Sequence, residues 1–144
     1  MRWFARFALV SIVVLALAGC SLAPGAGASR TVTEREYLDL LQRVQNAENA
    51  TIKQLRVDVS TGDLAAVAKR RAELEALQQE LLAVNPPAQY AGVQAALMDY
   101  YYELIQSCSA FESKNAAGAA AAESRARAAM GRYDSALKAA LGVK

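Results

Sequence analysis

From Thr33 to the end of the chain, apolar residues return every three or four positions, and the pattern breaks at only three places. That spacing lays the apolar side chains along one side of an α-helix and turns the charged ones to water. No stretch reads as a strand. A chain patterned in this way buries its stripes by packing helix on helix.

The first helix opens at Thr33, whose hydroxyl caps the first turn while Glu36 reaches back in a capping box. Its stripe is read as Tyr37, Leu40, Leu41, Val44, Ala47, Thr51, Leu55 and Val59, with Asp39 and Arg43 as an i,i+4 pair on the water side. Ser60-Thr61-Gly62-Asp63 stops it, Gly62 supplying the break and Asp63 the next cap. The second helix runs from Leu64 to about Val84. Val67, Leu74, Leu77, Leu81 and Val84 take coiled-coil a/d spacing, Arg70 interrupts them, and Lys69 with Glu73 and Arg71 with Glu75 decorate the outer face. Asn85-Pro86-Pro87 ends it, because neither proline donates a backbone hydrogen bond and a residue before proline avoids helical angles.

The third helix carries Tyr90, Val93, Leu97, Tyr100, Tyr101, Leu104, Cys108 and Phe111 on one face. Lys114 to Gly118 is a soft boundary with Gly118 as the expected break, although the flanking alanines favour helix. The fourth helix keeps a narrow stripe of Ala119, Ala122, Ala126, Met130, Tyr133, Leu137 and Leu141, small enough for close approach to its neighbours. Short connections between four such helices predict an all-α, up-down-up-down four-helix bundle over residues 33–144. The alternative is a three-helix bundle with a long last helix, should the final boundary fail. The basic fourth helix (Arg125, Arg127, Arg132, Lys138) faces acids exposed on the third (Asp99, Glu103, Glu112), each surface pair contributing about 0–1 kcal/mol.

Ahead of the bundle, Arg2 and Arg6 form a basic start, Phe7 to Ala18 an apolar run, and Ala18-Gly19 a pair of small residues before Cys20. Leu17-Ala18-Gly19-Cys20 resembles the lipobox of bacterial lipoproteins. The resemblance implies that residues 1–19 are a signal peptide cleaved between Gly19 and Cys20, and that Cys20 receives lipid, palmitate included, on its sulfur. An uncleaved membrane anchor is the competing reading, but the 12 residues from Phe7 to Ala18 fall short of the ~20 that span a bilayer. A plain secretory signal with an incidental Cys20 leaves that cysteine without a use. Residues 20–32, rich in Ala, Gly and Ser, read as a flexible lipidated tether spanning about 20 Å as a coil. Ser21 is not the aspartate that marks inner-membrane retention in many Gram-negative lipoproteins. The resemblance thus favours the outer membrane if the source has one, and otherwise an anchored position outside the cytoplasm.

Cleavage removes Arg2 and Arg6, so the sixteen basic side chains fall to fourteen, matching the fourteen acidic ones. A neutral mature chain has no electrostatic reason to bind nucleic acid, and none is assigned as partner. With Cys20 lipidated, Cys108 has no disulfide partner; lying between Leu104 and Phe111 on the apolar face, it reads as a small buried hydrophobe.

The chain contains no histidine, which excludes histidine general bases, Ser-His-Asp and Cys-His arrangements and the Glu-x-x-His motif of di-iron bundles. It also lacks a glycine-rich phosphate loop, a Cys-x-x-Cys pair and EF-hand spacing. No catalytic residue, metal ligand or cofactor is assigned; the lipid on Cys20 is the one added group. Asp99 and Glu103 share a helix face and could hold a cation or act as acid and base, yet they read as solvated acids near the fourth helix. With Leu97 at the centre of the buried face, Asp99, Tyr102, Glu103 and Gln106 fall on the opposite side. These four form the candidate partner contact, with Tyr102 as its anchor; an ordinary exposed tyrosine is the plainer alternative.

Two classes of function fit. One is a non-enzymatic envelope lipoprotein, held at the membrane by its lipid, whose bundle binds or scaffolds an envelope protein. The other is a small-ligand- or metal-binding or catalytic lipoprotein that uses carboxylates and tyrosines. The first is favoured because the stripes are almost wholly apolar, whereas bundles build ligand sites from inward-pointing polar groups. A buried pocket containing Asp, Glu or Tyr oxygens would favour the second, and a solid core with an exposed aromatic patch the first.

Overall fold

The computed structural model describes residues 29–143. The signal segment, the Gly19–Cys20 site and the tether up to residue 28 lie outside these residues. Within them stand four α-helices, α1 (Glu34–Thr61), α2 (Leu64–Leu82), α3 (Ala91–Glu112) and α4 (Ala116–Ala140), a single 3-10 turn (Ala88–Tyr90) that carries Tyr90 ahead of α3, and two short strands, β1 (Arg30–Thr31) and β2 (Val84–Asn85).

Three of the helices, α1, α2 and α4, begin where a side chain accepts from a backbone N–H of the first turn; α3 has no such cap. Thr33 accepts from Glu36 N at 3.3 Å while Glu36 accepts from Thr33 N at 2.8 Å, the capping box read from the sequence. Asp63 caps α2 through Ala66 N at 3.0 Å, after Gly62 has ended α1 with φ 71°. The last boundary differs from expectation. α3 stops at Glu112, Lys114 takes φ 56°, and Asn115 caps α4 through Gly118 N at 2.9 Å. Gly118 is therefore inside α4 rather than the break. Its missing side chain has a use there, because a Cβ would collide with the Asn115 amide.

Cross-ties show the up-down-up-down course. Between α1 and α2, Arg43 meets Glu80, Thr51 meets Glu73 and Asp58 meets Arg70, an antiparallel register. Arg71 bonds Glu112 and Gln94 reaches the carbonyl of Leu81, so α3 returns antiparallel to α2. Between α3 and α4, Glu103 pairs with Arg125 at 2.8 Å and Asp99 with Arg132 at 3.0 Å. The acidic third helix and basic fourth helix thus do pair as their charges suggest. Elsewhere the partners differ: Arg43 takes Glu80 across the groove instead of Asp39, and Glu73 takes Arg70 instead of Lys69.

The strands are a second departure, since no stretch read as one. Arg30 N donates to Ala83 O and Val32 N to Asn85 O, holding β1 parallel to β2. Pro86 and Pro87 explain β2: they end α2 at Leu82 and keep the residue before them extended, leaving its backbone groups free to pair. Residues 30–32, read from composition as the end of the tether, are consequently tied down, and Val32 is buried.

At this end the core is dense. Tyr37, Leu81, Tyr90 and Val93 are fully buried, and the Tyr37 and Tyr90 rings meet at 5.4 Å. Leu141, placed on the fourth stripe by its spacing, lies past the helix end and is exposed, and Ala129 is buried on α4.

Candidate functional site

Consecutive helices pack along their lengths, α3 against α4 most closely, whereas α1 and α4 scarcely approach each other. The reason lies in α4. Its half nearest the α3–α4 turn buries only Ala119, Ala122 and Ala126, which let α3 come close but cannot reach across to α1. The result is a half-open cleft of about 440 Å³ between α1 and α4, floored by α3. Ile52 and Leu55 line it from α1, Leu104 and Phe111 from α3, and Ala126 and Met130 from α4.

Charge is confined to the lips. Arg56 on α1 is exposed and has no ion pair among the described residues; Arg127 borders the cleft from α4 and reaches Glu123 of its own helix at 3.3 Å. Arg125, two residues before Arg127, pairs with Glu103, which places Arg127 near the level of Tyr100. Arg56 is close enough to Tyr100 to favour its ionisation, against the larger opposing effect of burial.

Tyr100 also joins the cleft to a polar cluster behind it. Its hydroxyl donates to Glu48 Oε1 at 2.7 Å, and Tyr101 donates to Glu48 Oε2 at 3.1 Å. Glu48 is only 6% exposed, and burial raises its pKa above the usual 4.5 while the two tyrosine hydroxyls pull it partly back. The sequence reading put Ala47 in the stripe; Ala47 is exposed and Glu48 takes the inward position. A signal for this was present. Tyr37, Leu41, Val44, Glu48, Thr51, Leu55 and Asp58 alternate steps of four and three, so a strict heptad passes through both acids.

Asp58 is the second such acid, and Arg70 answers it from the α2 stripe. Arg70 Nε stands 3.2 Å from Asp58 Oδ2, a close ion contact without the alignment of a linear hydrogen bond, and Arg70 Nη1 binds Glu73 at 2.8 Å. Glu73 also accepts from Thr51 at 3.2 Å. Two acids that look misplaced in a stripe are thus each met by donors from a facing helix.

The candidate contact residues do not act as one group. Tyr102 is 55% exposed and Gln106 is exposed, but Asp99 and Glu103 are engaged by Arg132 and Arg125. Cys108 is buried on the cleft wall, where burial pushes its thiol up to about 11. Gly19 and Cys20 lie outside the described residues. Among the described residues no three potential metal-binding side chains converge, and no helix is long and apolar enough to cross a membrane. No family model, curated protein or solved structure matches the chain.

Proposed function

We propose that this chain is an envelope lipoprotein, anchored outside the cytoplasm through lipid on Cys20, whose bundle is a non-enzymatic binding module with its site in the α1–α4 cleft. The cleft carries this reading. A volume of about 440 Å³ lies within the ~300–1,000 Å³ of small-molecule sites, with apolar walls and a few polar groups at the mouth. The tether enters at the β1–β2 end, whereas Arg56 stands 22 residues beyond Glu34, about 33 Å along α1. The mouth therefore lies in the half of the bundle far from the tether. We assign no cofactor, metal or catalytic residue, and the anchor is in the outer membrane if the source is Gram-negative.

Intact-mass measurement of the mature protein should find Cys20 as the lipidated first residue, and Cys20→Ser should leave the precursor uncleaved or release the domain from the membrane. An unmodified Cys20 in the wild-type protein would falsify the anchor. For the cleft, Leu55→Trp places an indole inside it. The variant should fold with little change in melting temperature yet lose whatever envelope component co-purifies with the wild type; unchanged co-purification sinks the cleft as the site. An envelope-protein partner at Tyr102 is the second reading, supported by the exposure of that ring.

A further inference from the structure

We infer that the tether end of the bundle is a membrane-seating surface, which lies on the zwitterionic bilayer interface beside the lipid of Cys20. This rests on the anchor proposed above and adds a protein contact to it.

The up-down course brings three segments to that end: residues 29–33 leading into α1, 82–90 between α2 and α3, and 139–143 closing α4. They lie close together. Ser29 exchanges hydrogen bonds with Asn85 at 2.8 and 3.1 Å, the 3-10 turn touches α4, and a Cβ at Gly92 would meet the Ala136 methyl group at 4.0 Å. Four residues before Gly92 and four after Ala136, Ala88 and Ala140 are therefore level on antiparallel neighbours. Leu141 and Val143 follow Ala140 and are exposed, as are Ala88 and Gln89.

Exposed apolar side chains alone do not single out this end. Leu82, Leu141 and Val143 are here, but Val57, Val59 and Leu64 are at the far end. Charge separates the two. Both far-end connections carry an ion, Asp63 in one and Lys114 in the other, and Lys53 and Arg56 stand one turn before the exposed valines. At the tether end, residues 81–98 contain no charged side chain, and neither do 139–143, between Lys138 and Lys144. The acids that open α1 are answered, Glu36 by Arg30 and Thr33 and Glu34 by the Tyr90 hydroxyl at 2.6 Å. Arg35 and Lys138 are exposed without an ion pair among the described residues, and their long stems let the charge stay in water.

Ions keep a protein surface off lipid, because each loses its water on contact. An end with few of them, and with leucine, valine and alanine exposed, is suited to the headgroup boundary. Chain length decides which end is in reach. From Cys20 to Ser29 there are nine residue steps, at most ~32 Å. The far end stands another ~42 Å away along the 28 residues of α1, so it touches the same bilayer only if the bundle lies on its side. Seating on the tether end instead stands the bundle upright and holds the cleft clear of the lipid.

The test uses the full-chain lipidated protein in phosphatidylcholine nanodiscs, with a nitroxide on Ala88→Cys or, in a separate sample, on Ser60→Cys at the far end. Lipid blocks Cys20 and burial protects Cys108. Immersion is read as the ratio of collisions with oxygen to collisions with a nickel chelate. That ratio should be about five-fold higher at position 88 than at position 60, and added phosphatidylglycerol should change it less than about two-fold. Leu141→Gln with Val143→Gln should bring position 88 down to the value at position 60 with the melting temperature nearly unchanged, since both side chains are exposed. Intact mass reports the anchor separately. A lipidated protein whose position 88 is as wet as position 60 overturns the seat and leaves the anchor, whereas an unmodified Cys20 overturns both. Equal immersion of the two positions means a bundle on its side, and immersion that requires phosphatidylglycerol means a charged contact; either overturns the seat. Burial of position 88 in native envelopes but not in nanodiscs gives this end to a protein instead of lipid.

Discussion

The two ends of this bundle are built from the same kind of stripe and finish differently. At the β1–β2 end, Tyr37, Tyr90 and Tyr133 supply large side chains from α1, from the turn before α3 and from α4, and the core closes. At the far end α4 offers Ala119, Ala122 and Ala126, and the space between it and α1 stays open. The far end still buries Val67 and Leu74 fully, and charges add cross-ties there, with Asp58, Arg70 and Glu73 joining α1 to α2 and Arg71 bridging Glu75 and Glu112. Helical period alone sets which face turns inward; side-chain volume decides whether that face meets its opposite number.

Truncations at the two ends should separate these cases most sharply. Tyr90→Ala empties a fully buried site and should cost about 3–5 kcal/mol, read from urea midpoints. Leu104→Ala, on the half-buried cleft wall, should cost about 1 kcal/mol, near half of the ~2 kcal/mol that full burial of a leucine contributes. Equal losses would mean that the far end is as tightly packed as the near one.

Between the ends lies Glu48, whose effect is smaller and depends on pH. Its folded pKa is raised, so between 4.5 and that higher value the folded protein keeps a proton that the unfolded chain has released. Glu48 therefore makes stability fall as pH rises through this window, with the loss complete above it. In Glu48→Gln that component should vanish, leaving a flatter pH profile and neutral-pH stability equal to or above that of the wild type. A variant with the wild-type slope would place the carboxylate in water. Smallest of all should be Tyr102→Ala, within about 0.5 kcal/mol by thermal melting because the ring is mostly exposed. A larger loss would show that Tyr102 packs, and its place on the outer face would be wrong.

Much of the architecture was legible in single residues. Thr33, Glu36, Gly62 and Asp63 each carry a local instruction, since caps and left-handed turns are decided within four residues of chain. The Asn85-Pro86-Pro87 stop was equally local. Gly118 misled because a glycine is a break only where nothing nearby offers helix a better start, and Asn115 does. The cleft was half legible: the alanine stripe announced a close α3–α4 contact without revealing what it would leave open.

What the sequence by itself determined was the number of helices, most of their ends, the antiparallel course and the pairing of acidic α3 with basic α4. Those follow from backbone chemistry and from periodicity along one segment. The tertiary structure alone decided that Glu48 and Asp58 turn inward, that Arg30–Val32 join Val84–Asn85, and that Arg56 and Arg127 both border an apolar cleft. A buried carboxylate is tolerable only where donors from another helix reach it, and a strand pair or a cleft exists only between segments far apart in the chain. Such partners have no fixed spacing, so they become visible only when the helices have been brought together.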